Sequence, residues 1–395
     1  MVWHKDDPMG RESEKIKYEI VPYTRGKVLE LGPGPWKLYP HFTSIDNNSG
    51  WEEYEFRGDI VGDCADLSIF TDCSWDSIFS SHLLEHIEDY KAALAEWWRV
   101  IKPGGHLVLY VPHADLYPRM GEEDSNPDHK HDFKPRDIVK AMKGVGSWDL
   151  VVSQTRDKRN EYSFLQVYRK ASNNNVSKYL YSYQAPKPHK RAAVVRYGGF
   201  GDMIQASSVF PGLKKQGYHI TMYTTPAGHE IIKDDPHVDE WFIQDTDQVP
   251  QQELWKFWII QSKQFKKWIN FSQSVEVSFL FVKEQPQFYW NKKTRNTLCD
   301  FNYLEIAHSI ADVPLPPRQK FYPTEIEKKW AHEQRERLDC ESVLMWVLSG
   351  SSVHKSWPYM DNALARIMVT IPGMKVVLVG DEICTILEVG WEKEP

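Results

Sequence analysis

The sequence predicts an α/β protein of doubly wound sheets, and three observations carry that prediction. Over residues 14–170, short apolar runs alternate with helix-like segments. The first clear strand, around Val28-Leu-Glu-Leu31, ends in the glycine turn Gly32-Pro-Gly34, which lets a ligand approach the backbone at a strand's carboxyl end. From Arg191 the alternation begins again, with a second glycine-rich turn at Gly198-Gly-Phe-Gly201.

Taken in order, the strands of the first half are expected at Lys27–Leu31, Thr43–Asp46, Ser77–Ser80, His106–Val111, Trp148–Ser153 and Phe164–Tyr168. Helices are expected at Glu12–Ile20, Tyr90–Val100 and Pro135–Lys143, where apolar residues recur at helical spacing. The polar stretch Gln154–Tyr162 holds no helix, so the last two strands read as an antiparallel hairpin at the sheet edge. Residues 171–190 carry three consecutive asparagines, then Pro186 and Pro188, and read as a stiffened linker. Beyond it come a strand at Ala192–Arg196, a helix at Met203–Gln216, and strands at His219–Tyr223, Glu240–Ile243 and Lys267–Phe271. The proline-rich Pro314–Pro323 reads as a second linker. Strands at Val343–Ser349 and Lys375–Gly380 then flank a helix at Met360–Ile371.

Composition narrows the class. The chain has 395 residues, which at about 150 residues per domain implies two to three domains. Hydrophobic residues are 41% and charged residues 26%, enough to build real cores. With 55 acidic against 48 basic residues the net charge is −7, which argues against nucleic acid as a partner. Met1–Glu19 has no apolar segment of signal-peptide type, and no apolar run approaches membrane-spanning length. Five scattered cysteines without a C-x-x-C pair read as reduced thiols in a cytoplasmic protein without structural zinc.

The first half carries a set of motifs in a telling order. Glu30-Leu-Gly32-Pro-Gly34 closes the first strand. The second strand ends in Asp46, the residue type that accepts hydrogen bonds from ribose hydroxyls. Asp66-Leu, then Ser80-Ser-His82-Leu-Leu-Glu85-His86, then Arg99-Val-Ile-Lys-Pro-Gly104-Gly105 follow. Together these residues resemble a class I S-adenosylmethionine-dependent methyltransferase over roughly 14–170. The resemblance implies a Rossmann-like fold with S-adenosylmethionine held by Glu30, Gly32, Gly34, Asp46, Asp66 and His82. Two departures stand out. Gly34 is followed by Pro35 and Trp36, where the family has a third glycine. Only Lys37–His41 separates the turn from the next strand, so the usual helix is short or absent.

Methyl transfer needs alignment, and a general base only if the acceptor is a hydroxyl. Candidate bases are His82, His113, His129 and His131, and His113 is preferred because it follows the carboxyl end of the strand His106–Val111. A structural reading has His82 capping a helix and His86 packing on it. His82-x-x-Glu85-His86 also matches an H-x-x-E-H zinc pattern. It lies where the methyltransferase expects its own motif, so no metal is expected there. Asp128-His-Lys-His-Asp132 reads either as a divalent-ion cluster or, preferred here, as a polar loop lining an acceptor pocket.

In the second half, Arg196-Tyr-Gly-Gly-Phe-Gly-Asp202 and Gly350-Ser-Ser-Val-His-Lys355-Ser-Trp-Pro resemble the heptosyltransferase-like glycosyltransferases of family 9. That resemblance implies GT-B architecture, with Asp202 as general base, and Ser351, Ser352 and Lys355 holding the diphosphate of a nucleotide-sugar donor. The bare sequence favours a helix cap for Asp202, and the resemblance shifts the reading to the base. The family continues past this point, whereas only a strand, a helix, a strand and a stub follow Gly350.

The expectation is therefore a methyltransferase domain at 1–170, a linker at 171–190, a glycosyltransferase acceptor-side domain at 191–340 and a partial nucleotide-sugar domain at 341–395. A bifunctional enzyme of lipopolysaccharide-type surface-glycan assembly is the leading function, acting on a small-molecule or glycan- or lipid-linked acceptor. A second chain could complete the last domain. One alternative is a methyltransferase whose second half only docks the acceptor. Another is a non-catalytic Rossmann scaffold. The tryptophan-rich stretch Trp255–Trp268 reads either as a face for a membrane surface or as a buried core helix.

Overall fold

The computed structural model describes residues 11–47, 58–158, 160–171, 179–181, 190–274, 289–315, 320–347 and 359–380. The fold is mixed α/β and divides into two units, 1–321 and 322–395.

The first unit holds two sheets. The larger contains β1 (Val28–Leu31), β2 (Thr43–Asp46), β3 (Ile60–Val61), β4 (Trp75–Ser81), β5 (Ile101–Pro112), β6 (Trp148–Arg156), β7 (Ser163–Lys170) and β8 (Tyr179–Tyr181), in the order β3-β2-β1-β4-β5-β7-β6-β8. Strands β1 to β5 run parallel, and β7 is antiparallel to both β5 and β6. This is a Rossmann-like sheet with a reversal of strand order between β1 and β4. Such a switch point opens a crevice at the strands' carboxyl ends.

The smaller sheet contains β9 (Arg191–Val195), β10 (His219–Thr224), β11 (Glu240–Ile243) and β12 (Lys267–Asn270), all parallel, in the order β11-β10-β9-β12. The helices of this unit are α1 (Tyr90–Val100), α2 (Pro135–Met142), α3 (Phe200–Ser207), α4 (Phe210–Lys215), α5 (Pro226–Ile232), α6 (Leu254–Ser262), α7 (Phe271–Ser274), α8 (Lys292–Cys299) and α9 (Tyr303–Ala311).

Side-chain alternation explains how the large sheet is covered. Leu29, Leu31, Ile78, Leu107 and Leu109 face one side and pack with Leu94, Trp97 and Trp98 of α1 and Ile138 and Met142 of α2. Val28, Phe79, Val108, Leu165 and Val167 face the other side. There they meet Ile16, Ile20 and Val21, and also Val195, Tyr223, Val249, Phe257 and Trp258 of the following region. A parallel sheet needs both faces covered. Between the glycine turn and β2 there is no helix, and residues 191–271 supply part of the missing layer instead.

Polar contacts fix that docking. The Gln248 amide donates to the carbonyls of Val21 and Thr24 at 2.6 and 3.0 Å. Asp245 accepts from Arg25 at 3.0 Å and from the Gly26 N–H at 2.7 Å. Glu253 takes Lys17 at 3.0 Å and the Tyr18 hydroxyl at 2.9 Å.

Four expectations are corrected. Glu12–Ile20 forms one 3-10 turn at Glu12–Lys15 followed by turns, not a continuous helix. The expected single helix Met203–Gln216 is two, α3 and α4, because Pro211 has no N–H to donate to the Ser207 carbonyl, which interrupts the hydrogen-bond ladder although Ser208 and Val209 keep helical backbone angles. The hairpin β6–β7 is not the edge, since Tyr179–Tyr181 of the supposed linker pairs parallel to β6. Phe271 ends no strand; it opens α7. In α6, Phe257 and Trp258 are buried while Trp255 and Ile259 are exposed, so the stretch is a core helix with a small apolar outer edge.

In the second unit, β13 (Ser342–Val347) and β14 (Met374–Val379) pair in parallel, accompanied by α10 (Glu325–Arg337) and α11 (Met360–Thr370). A capping box between Thr324 and Glu327 starts α10.

Candidate functional site

The switch-point crevice gathers most of the residues singled out from sequence. Gly32 and Gly34 follow β1 with φ of +61° and +60°, a region L side chains rarely enter. A Cβ on Gly32 would stand 2.8 Å from a methyl of Leu83, so the turn also needs glycine for packing against the chain beyond β4. Asp46 ends β2, is buried, and accepts the Gly34 N–H at 3.0 Å. The acid and the glycine turn thus form one rigid unit across two neighbouring strands.

Glu30 lies beneath this turn. Both its oxygens face the Leu38 N–H, at 3.0 and 3.2 Å, which holds the helix-free segment in place. Burial pushes its carboxyl up to about 8, and the Leu38 bond only partly offsets this. Glu30 therefore supports the turn from below.

The pH consequence has a definite sign. The folded state holds a proton that an unfolded glutamate releases near its ordinary 4.5, so this contribution is full below 4.5 and is lost as pH rises through about 8. His82 and His129 act oppositely, but only below the ordinary histidine value of 6.5, since desolvation pushes them down to about 3 and about 4. Above 6.5 the glutamate effect stands apart from theirs, and buried Glu85, also raised to about 8, declines alongside it. Glu30→Gln is expected to lessen, without abolishing, the decline in stability from about pH 6.5 to about pH 8, read as urea midpoints across that range.

Asp66 stands exposed after β3, its side chain accepting the Ser68 N–H at 2.9 Å in a local turn that keeps it ionised. His82 follows β4 with φ +49°. Its ring is packed against Tyr110 and Tyr162, and Nε2 bonds the Ser163 hydroxyl at 2.8 Å. It caps no helix: Leu83 is the N-cap of the 3-10 turn Leu84–His86, with no side-chain cap. Its expected place around the cofactor is thus reduced to backbone, because the imidazole is turned into the protein.

His113 follows β5, as expected. The Asp115 N–H donates to its Nδ1 at 3.1 Å. This contact fits the tautomer that carries its proton on Nε2. His131 is engaged through Nε2 with the Glu88 carbonyl at 3.0 Å.

Sequence reading missed two tyrosines of this region. Tyr117 lies between His129 and Tyr162, with ring centroids 5.2 and 5.0 Å away. Tyr162 also meets His82. Both come from loops without a motif, and only the folded chain joins them.

Residues 41–109 match a family model described as a methyltransferase domain. Over these residues the chain carries a methyltransferase domain. Solved structures similar to it include a chain of the complex between the Haloferax volcanii Trm112 methyltransferase activator and a methyltransferase, at 18% identity over 41% of this chain and 90% of that one, TM-score 0.34. A SAM-dependent methyltransferase from Archaeoglobus fulgidus is 15% identical over 40% of this chain and 94% of its own, TM-score 0.31. Another from Aquifex aeolicus is 18% identical over 42% and 94%, TM-score 0.31. No curated protein matches the sequence significantly.

The methyltransferase domain's donor set suits its cofactor. Glycines at positive φ admit close backbone approach, and a buried carboxylate at the end of β2 is the acceptor that ribose hydroxyls require. Among the described residues, no helix is long and apolar enough to cross a membrane.

The glycosyltransferase motifs fare differently. Asp202 is the third residue of α3. One oxygen accepts the Gly199 N–H at 2.8 Å and the other pairs with Arg196 at 3.0 Å. Gly198 closes over the pair: a Cβ there would lie 2.7 Å from the Asp202 carboxylate and 2.8 Å from Arg196. Ser351, Ser352 and Lys355 lie outside the described residues.

Proposed function

We propose that this chain transfers the methyl group of S-adenosylmethionine to a small acceptor held beside the loop 113–133, and that residues 191–321 act as a docking layer for that half. The observation that carries the first part is the unit formed by Gly32, Gly34 and Asp46 at the switch point. Gly32 and Gly34 would take the amino-acid part of the cofactor and Asp46 its ribose, with Asp66 toward the base. Bound there, the cofactor supplies an electrophilic sulfonium methyl. The protein's task is to align the acceptor and exclude water.

His113 then serves as a hydrogen-bond donor to the acceptor. On that reading His113→Ala raises KM with a small change in kcat, whereas a general base would cost about 10²- to 10⁴-fold in kcat. The measurement is incorporation of labelled methyl from S-adenosylmethionine into fractions of a small-molecule extract, followed by kinetics on the active fraction. No incorporation above a no-enzyme control would defeat the transferase reading.

Support for docking over sugar transfer comes from Asp202. A base must offer a lone pair to a hydroxyl, and this carboxylate is committed to Arg196 and to the start of α3. Asp202→Asn is expected to destabilise the region by about 1–3 kcal/mol while leaving methyl incorporation unchanged, since it removes the carboxylate charge paired with the buried Arg196. Sugar transfer from a nucleotide sugar by the parent protein, abolished in Asp202→Asn, would instead restore the bifunctional reading.

A further inference from the structure

We propose that Glu85, His86 and His129 form a binding site for a divalent transition-metal ion, zinc being the best match, which pins the loop 113–133 to the turn after β4. Their ligand atoms lie within 4.8 Å of one another. His86 Nε2 and His129 Nε2 each stand 4.0 Å from Glu85 Oε1. A tetrahedral zinc site with bonds of about 2.0–2.1 Å sets its ligands about 3.4 Å apart, so a small side-chain adjustment completes it.

Glu85 supplies an independent observation. Its residue is 1% exposed, and neither carboxylate oxygen accepts a hydrogen bond among the described residues. A buried carboxylate without donors is costly, and a cation removes that cost. His86 is oriented for the task. Its Nδ1 faces the Asp128 carbonyl at 3.2 Å, which can only accept, so Nδ1 carries the proton and Nε2 offers its lone pair toward Glu85. This carbonyl-to-imidazole bond is the support that metal-ligating histidines use. His86 and His129 rings meet edge to face at 4.8 Å. His82 Nδ1 also lies 4.0 Å from Glu85 Oε1 and could complete the shell, or leave the fourth position to water.

The backbone shows what such an ion would fasten. Lys130 and His131 N–H groups donate to the Glu85 carbonyl at 2.8 and 3.2 Å. The ion would therefore join side chains across a junction that main-chain bonds already mark. This revises the expectation that the segment 82–86 holds no metal, and takes up for part of 128–132 the divalent-ion reading set beside the polar loop.

The test uses the full chain, stripped with chelator, reloaded with zinc and freed of excess by gel filtration. About one zinc per chain is expected to remain. His86→Ala and His129→Ala should each weaken retention roughly tenfold or more, while His131→Ala should match the parent. In case the alanine variants fail to fold, the parent is loaded with cobalt. Its visible spectrum should show tetrahedral cobalt without a thiolate charge-transfer band, which separates this site from Cys64 and Cys73. Chelator should also lower the parent's melting temperature. Failure of the parent to retain zinc, a thiolate band, or full retention by well-folded His86→Ala and His129→Ala would each overturn the proposal. None of these readouts depends on methyl transfer.

Discussion

Asp46→Asn is expected to weaken S-adenosylmethionine binding by one to two orders of magnitude without unfolding the chain. The figure follows from the charge lost: a hydrogen bond to an ionised acceptor contributes about 1.5–3 kcal/mol, and 1.4 kcal/mol is about tenfold. Asparagine keeps an oxygen that can still accept the Gly34 N–H, so the glycine turn remains anchored. Asp46→Ala removes that anchor too and should cost more, partly through the turn. Asp66→Asn is the natural comparison, since its carboxylate is exposed and tied to a local turn. It should weaken binding far less. Titration calorimetry on the parent and the three variants gives the order. Equal affinity in Asp46→Asn and the parent would remove Asp46 from the cofactor site, and no binding by the parent would defeat the methyltransferase assignment of this crevice.

The site was legible where its residues follow one another along the chain. Gly32, Gly34 and Asp46 stand at the ends of two strands whose apolar runs are plain, and strand ends are where such sheets bind ligands. His82 and His113 were placed at the correct strand ends, but their roles depend on partners from elsewhere. Ser163 and Tyr162 turn the His82 ring inward, and the Asp115 N–H sets the His113 tautomer. Asp202 shows the same limit, because Arg196 precedes it by only six positions yet nothing in the spacing says that their side chains pair. The Glu85 cluster was visible only as half a pattern. His86 is adjacent in sequence, while His129 arrives on a distant loop. In the fold, the unpredicted part was the covering of the large sheet. Apolar residues on β1, β4, β5 and β7 demand a second layer, and the sequence does not say that it comes from beyond residue 190.

That layer leads to the second large effect: Phe257→Ala is expected to destabilise the methyltransferase half by about 3–5 kcal/mol, although Phe257 lies far outside it in sequence. Phe257 is fully buried in the cluster that holds Phe79 and Val108 of the large sheet. Truncating it opens a cavity between two sheets that each rely on the other for a face. Gln248→Ala should act in the same direction but less, by about 1–3 kcal/mol, because it removes the amide that binds the carbonyls of Val21 and Thr24. Trp255→Ala, on the exposed side of the same helix, should be nearly neutral, which controls for helix propensity. Urea unfolding followed by tryptophan fluorescence, alongside calorimetry for S-adenosylmethionine, distinguishes the possibilities. If residues 191–321 were an independent transferase merely tethered to the first half, Phe257→Ala would unfold that region alone and leave cofactor binding at its parent midpoint. If they form the missing layer, unfolding and loss of binding shift together to lower urea. The docking reading requires the second outcome, since a face that bears Val28, Phe79 and Val108 cannot be left to water without loss of the sheet that carries Asp46.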